Sequence, residues 1–212
     1  MKLININSNI ALMTISFFLF SSPSFSEGMD KTEPSNYKDN NNNNKNQNDI
    51  NLSIQNDGEK IILDAHYIVP APASLVWETL TDFDNFPSFK SSMLSSKVSS
   101  KKGNTLRVTQ VSIIKLSGAS FNFETIKEIY LIPFKKINKR MISGNMHKMM
   151  ETTEIISKGT NTHIYYHADI VPNMWILNYI GHIFIEDEAR EQLQQDRNEI
   201  IRRKKITTTL IK

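Results

Sequence analysis

The arrangement of turns constrains this chain most. Between residues 60 and 171, β-prone segments follow one another at short intervals, with turn residues closing most of them, and the run ends at one long helix-patterned segment. Neighbouring strands joined by tight hairpins pair antiparallel, and a single long helix after them has to cover one face of the sheet they make. The pattern predicts seven strands, at 60–69, 95–100, 105–116, 120–132, 137–143, 148–157 and 162–171, with turns at Lys102-Gly103-Asn104, Ser117-Gly118, Gly144-Asn145 and Lys158-Gly159. In the last strand Ile164, Tyr166, Ala168 and Ile170 alternate with His163, Tyr165, His167 and Asp169, so one face is covered and the two histidines point outward.

Residues 72–89 separate the first strand from the rest. Val76, Leu80 and Phe83 recur at helical spacing with Trp77 on the adjoining flank, while Glu78, Thr81 and Asp82 turn toward water. Pro72 and Ser74 suit a helix start, and Asp84-Asn85 followed by Pro87 breaks the helix into a second turn carrying Phe86 and Phe89. The final helix begins near Asn173. Its first half is strongly apolar, with Trp175, Ile176, Tyr179, Ile180, Ile183 and Phe184; its second half is charged, with Ala189, Leu193 and Ile200 as sparser apolar positions. Asp196 and Arg197 interrupt that stripe, so the helix either leaves the core there or turns polar groups toward a cavity. Emergence is the expectation.

The ends read as separate modules. Lys2 is the only charge before Glu27, residues 10–20 are apolar, and Ser24-Phe25-Ser26 is a small-x-small site, so residues 1–26 are expected to be a signal peptide cleaved after Ser26. The protein would then be exported, periplasmic or attached to the cell envelope. The apolar run is shorter than the roughly 20 residues of a spanning helix; an uncleaved anchor is the alternative. Residues 27–58, with asparagines from 40 to 44, are too polar to offset their ordering entropy and are expected to form a disordered linker. A single domain follows over 59–205, and 206–212 reads as a tail. The chain has no cysteine, which excludes disulfides and a lipidated cysteine anchor, and a net charge of +3 gives no reason to expect nucleic acid as a partner. Arg202-Arg203-Lys204-Lys205 suits a solvated helix end, with peripheral contact to anionic lipid headgroups as the alternative.

Three motifs carry a resemblance: Ala73-Ser-Leu-Val-Trp-Glu-Thr-Leu-Thr-Asp-Phe-Asp-Asn-Phe-Pro87, the hairpin Ser143-Gly144-Asn145-Met146-His147-Lys148, and Gly159-Thr160 before the strand containing Tyr166. With the order of elements, they make the chain similar to the START-like, or helix-grip, superfamily (SRPBCC), and most to its polyketide cyclase/dehydrase and coenzyme Q-binding branch. The resemblance implies an α+β fold in which a curved seven-stranded antiparallel sheet grips a long C-terminal helix, two short helices following the first strand. It implies an apolar pocket, which in relatives takes lipids, quinones, polyketides or plant hormones. Mapped onto this chain, the pocket walls would be Trp77, Leu80 and Phe83 from the first helix, Ile164, Tyr166 and Ala168 from the last strand, and Ile180, Ile183 and Phe184 from the final helix. One departure stands out: where relatives often place Gly-x-Trp after the Gly144 hairpin, this chain has Glu151-Thr152-Thr153.

The spacing of polar residues asks for no metal or cofactor. His163 and His167 are four apart on a strand, roughly 13 Å at about 3.3 Å per residue, and His182 with Glu186 on the final helix is an incomplete ligand set. No phosphate loop, nucleophile elbow or metalloprotease helix is present. His182, Tyr166, Asp196 and Arg197 are the acid–base candidates, and each has an ordinary structural reading, so no catalytic residue is assigned. The expected function is binding of a hydrophobic small molecule (lipid, quinone or isoprenoid-like) in an internal cavity, without catalysis. The alternatives are a polyketide cyclase/aromatase-like enzyme and a partner-binding module with a filled core.

Overall fold

A computed structural model describes residues 50–116 and 119–210, with the side chains of 116, 119, 174–184 and 210 outside the description. The expected signal peptide and residues 27–49 of the expected linker lie outside the described residues. Eight strands form one antiparallel sheet in the order β1-β2-β8-β7-β6-β5-β4-β3. They are β1 (Asn51–Asp57), β2 (Lys60–Val69), β3 (Met93–Lys102), β4 (Thr105–Leu116), β5 (Ala119–Ile132), β6 (Lys136–Gly144), β7 (Lys148–Lys158) and β8 (Asn161–Val171). From β4 to β8 each strand pairs with its predecessor; β8 then pairs with β2, with Ile61 opposite Ile170 and Val69 opposite Thr162. Two helical pieces, α1 (Ala73–Thr81) and a 3₁₀ helix (Phe83–Ser88), follow β2, and α2 (Met174–Leu210) ends the chain. This is the helix-grip architecture.

The sheet has eight strands where seven were expected. The additional one, β1, lies in the stretch read as linker. Leu52 and Ile54 are half-buried and pack against the core, and Gly58 turns the chain into β2 with φ +63°, a conformation that glycine adopts at little cost. Ile50, just ahead of β1, is buried, and Arg190 of α2 donates to its carbonyl at 3.0 Å. At the other end, residues 206–210 of the expected tail continue α2.

The concave face carries the core. Val76, Leu80 and Phe83 of the α1 region, Tyr67 and Val69 of β2, Ile164 of β8 and Ile200 of α2 are all buried in one cluster, each apolar side chain contributing about 1.5–3 kcal/mol by leaving water. The helical break falls at Asp82, two residues before the expected Asp84, and the second turn does contain Pro87. Phe83, Phe86 and Phe89 stack edge to face in sequence at 5.2 and 5.6 Å. Phe89 leads into residues that hold α2 down: Ser91 Oγ donates to Glu191 at 2.7 Å, Ser92 Oγ donates to Glu188 at 2.6 Å, and Arg203 pairs with Asp82 at 2.8 Å. The basic end of α2 is therefore not merely solvated, because Glu199, 4% exposed, receives both Arg202 and Arg203 at 2.7 Å.

Candidate ligand cavity

Strand alternation decides which side chains meet beneath α2. On β5 the inward parity selects Phe123, Thr125, Lys127 and Ile129; on β6, Ile137 and Lys139; on β7, Met149, Glu151 and Thr153. Lys139 and Glu151 are direct cross-strand neighbours. Tyr166 comes from β8 one pair further along, opposite Thr153. Four adjacent strands thus lay a belt of polar groups across a concave face that is otherwise apolar.

Within that belt Lys127 Nζ donates to Glu151 Oε2 at 2.6 Å, and Tyr166 Oη donates to Oε1 at 3.2 Å. Lys139 Nζ stands 3.6 Å from Oε1. Burial opposes the charge on Glu151, but the ammonium groups of Lys127 and Lys139 and the hydrogen bonds from Lys127 and Tyr166 overcome it, bringing the carboxyl from 4.5 down to about 2. Burial likewise pulls Lys127 below its ordinary value, with Glu151 working against that shift and Lys139 and Lys90 adding to it. The Tyr166 phenol is raised well above its usual value, by burial first and then by the charge and hydrogen bond of Glu151. Burial, with Asp196 adding to it, does the same to Tyr67.

A second ion pair stands beside the first. Lys90, just past the 3₁₀ helix, lies 2.7 Å from Asp196 Oδ1 on α2, both side chains nearly enclosed. That oxygen has no aligned hydrogen bond, so the contact is an ion pair by distance and poorly directed. Lys90 also sits 4.9 Å from the centroid of the Phe86 ring.

Two adjoining spaces open over these groups, sharing Phe86, Lys90, Lys139, Glu151 and Tyr166 as a common wall. The larger is about 170 Å³ and the smaller about 50 Å³. The larger extends toward Met93, Ile114, Phe123, Met146, Met149 and Ile170, giving it an apolar end and a polar side. A cavity of about 150 Å³ lined by apolar side chains can hold benzene, so the larger space has room for a ring or the end of a chain.

The nine residues expected to line a pocket fall into four groups. Leu80 and Tyr166 do border the smaller space, and Tyr166 both. Phe83, Ile164 and Ala168 are packed into the core and border neither space, Phe83 and Ile164 in the main cluster and Ala168 in a second one with Ile61, Leu63 and Ile170. Trp77 points to the flank, its ring 5.6 Å from that of exposed Phe134. Ile180, Ile183 and Phe184 lie outside the described side chains, as does His182. Asp196 and Arg197 correct the expectation that α2 emerges: both are buried, Asp196 against Lys90 and Arg197 with its Nε donating to the Ile68 carbonyl at 3.3 Å. His163 and His167 sit on the outer face, His163 Nδ1 3.1 Å from His66 Nε2 and His167 Nδ1 2.8 Å from Asp64. No group of three or more metal-ligating side chains occurs among the described residues.

The fold and the space beneath α2 define a START-like ligand-binding domain, and sequence comparison agrees. The profile of the family described as polyketide cyclase / dehydrase and lipid transport matches residues 69–195, and the chain belongs to that family. Among solved structures it is similar to the Zhui aromatase/cyclase from a Streptomyces species, at 16% identity over 68% of this chain and 95% of that one, with a TM-score of 0.58. It is similar too to a STAR-related lipid transfer protein fragment from Xanthomonas axonopodis, at 10% identity, 71% and 93% coverage and a TM-score of 0.57. A protein from Thermus thermophilus gives 13% identity, 66% and 97% coverage and a TM-score of 0.58. No curated protein matches by sequence.

Proposed function

We propose that this is an exported protein that holds a hydrophobic small molecule (a lipid, quinone or isoprenoid-like compound) beneath α2 without turning it over. The observation that carries the reading is the cavity of about 170 Å³ with its apolar end of methionine, isoleucine and phenylalanine side chains. Contact of a ring or chain end with that surface would supply affinity at about 25 cal/mol per Å² before the costs of association. A lipid or isoprenoid of full length exceeds the space, so part of it would extend beyond the cavity. Export rests on residues 1–26, and cleavage after Ser26 is part of the proposal. Native mass spectrometry and solvent extraction of protein purified from the envelope fraction test both halves. A co-purifying apolar compound on a chain beginning at Glu27 is the expected result; an empty domain under mild conditions would overturn the binding half, and a cytoplasmic, full-length chain the export half.

The buried trio Lys127, Glu151 and Tyr166 favours a second reading, an aromatase/cyclase-like enzyme, since acid–base work in a cavity needs titratable groups facing it. The titration of two of the three argues the other way. Glu151 is held ionised by two lysines, with its carboxyl at about 2, and Tyr166 is pushed far above neutrality, so neither is poised to exchange a proton near pH 7. Turnover of a polyketide-like substrate that disappears in both Glu151→Gln and Tyr166→Phe would establish the enzyme.

A further inference from the structure

The hairpins β3–β4, β5–β6 and β7–β8 all turn at one end of the sheet, the end where β2 passes into α1. Lys204, late in α2, donates to the Pro70 carbonyl, so the basic end of that helix reaches the same rim. Four charged groups there cancel or nearly so: Glu199 and Asp82 are taken by Arg202 and Arg203. Lys136 pairs with Glu154 at 2.6 Å. Lys101 and Lys102 before the first turn, Lys135 in the second, Lys158 at the third and Lys205 on α2 are exposed, and none forms an ion pair with a described residue. The one further carboxylate at that end, among the described residues, is that of exposed Glu78 on α1. The opposite end mixes Asp57, Glu59, Glu124 and Asp169 with Lys60, Lys115 and Lys148, so the positive charge is confined to one rim.

Two aromatic side chains stand among these lysines. Phe134, in the β5–β6 turn, is 54% exposed, and its ring lies 5.6 Å from that of Trp77 on α1. Its φ is +60°, a backbone conformation that is costly for a bulky residue. The chain thus accepts local strain while holding a phenylalanine out toward solvent, beside exposed Ile132. From the β3–β4 turn to the β7–β8 turn is four strand spacings, about 19 Å. Separate hairpin tips over that span give a rigid protein partner little continuous surface to pack on, whereas lipid headgroups rearrange around each tip. Aromatic side chains settle at the level of the headgroups, and lysines are drawn to anionic ones. We propose that this rim docks on an anionic lipid bilayer, with Phe134 and Trp77 at headgroup level and Lys101, Lys102, Lys135 and Lys158 over the acidic lipids. The inference does not depend on what the space beneath α2 holds.

The test lets two vesicle populations compete for the purified full chain in one tube, one of phosphatidylcholine and one of equal parts phosphatidylcholine and phosphatidylglycerol. A biotinylated lipid in one population separates them. Each lysine close to an acidic surface strengthens binding by about fivefold, so the anionic vesicles are expected to hold at least about tenfold more protein, and salt should erode that preference. Lys135→Gln combined with Lys158→Gln should lower it by about fivefold or more. Lys115→Gln combined with Lys148→Gln makes the same charge change at the opposite end and should move it less than about twofold. Any affinity of residues 1–49 for lipid is common to all these chains and drops out of the comparison. In a Trp175→Phe chain Trp77 is the only tryptophan, and brominated lipid in the anionic vesicles should quench it. An even distribution, equal losses in the two double variants, or unquenched Trp77 emission would each overturn the proposal. The distribution of the unmodified chain decides against it even if a variant fails to fold.

Discussion

Replacing Glu151 with Gln removes one charge from the middle of the concave face and leaves its shape. The side chain is 8% exposed, with Lys127 at 2.6 Å and Lys139 at 3.6 Å. Folding takes its carboxyl from 4.5 to about 2, roughly 2.5 pH units, which at about 1.36 kcal/mol per unit corresponds to about 3 kcal/mol in favour of the folded state. Because the folded value lies below the unfolded one, that contribution is complete above pH 4.5 and fades as pH falls through about 2; roughly 2 kcal/mol of it is gone by pH 3. Glutamine has no such proton to gain, and it leaves Lys127, 10% exposed, without its counter-charge. At pH 7 the variant should therefore be about 3–5 kcal/mol less stable. Urea unfolding followed by circular dichroism at pH 7, 5, 4 and 3 measures the difference. The gap between the two proteins is expected to hold level down to about pH 5.5 and to narrow by about 2 kcal/mol by pH 3. A gap that stays constant to pH 3 would refute the coupling of Glu151 ionisation to the lysines. The double variant Lys127→Met, Glu151→Leu should recover most of the loss, since apolar side chains that fill a buried ion pair's volume are often as stable as the pair.

Three further expectations follow from packing and backbone. Gly58→Val should cost about 1–2 kcal/mol in chemical denaturation from the positive φ alone, because a Cβ there meets nothing within 4 Å; an unchanged midpoint would mean the β1–β2 turn is not formed. Deleting residues 1–57 should lower the melting temperature and promote aggregation by uncovering the edge of β2, whereas a chain that behaves identically without them would remove β1 from the sheet. Ile200→Ala, at a fully buried position on α2, should cost about 2–5 kcal/mol, and a loss below about 1 kcal/mol would mean α2 is not seated in the grip.

The order of elements was legible because turns and alternation are local. The predicted 60–69 and 105–116 coincide with β2 and β4, and the other strands differ at their ends by one or two residues. β1 was missed although its signals are equally local: Ile50, Leu52 and Ile54 alternate before Asp57-Gly58, a strong hairpin dipeptide, but the asparagine-rich composition upstream was extended over them. The site was less legible for a different reason. Lys127 and Glu151 look like ordinary surface charges until parity is counted from Ile129 and from Ile155, which puts both inside. Even then their pairing depends on the register between strands, which a single sequence does not record. Asp196 posed the same problem on α2, where its partner Lys90 is 106 positions earlier.

The β2–β8 ladder has a consequence for how the molecule is made. Ile61 and Ile170 face each other across that ladder, so strands near the beginning of the domain find their neighbour only when the eighth strand has been synthesised. β3 to β7 can zip up as successive hairpins while β1 and β2 wait as an unattached ribbon, and long-range closure of this kind is the slow step in β-rich chains. A ribosome-bound chain truncated before residue 161 should thus be open to proteases over β1 and β2 however well its central hairpins have formed.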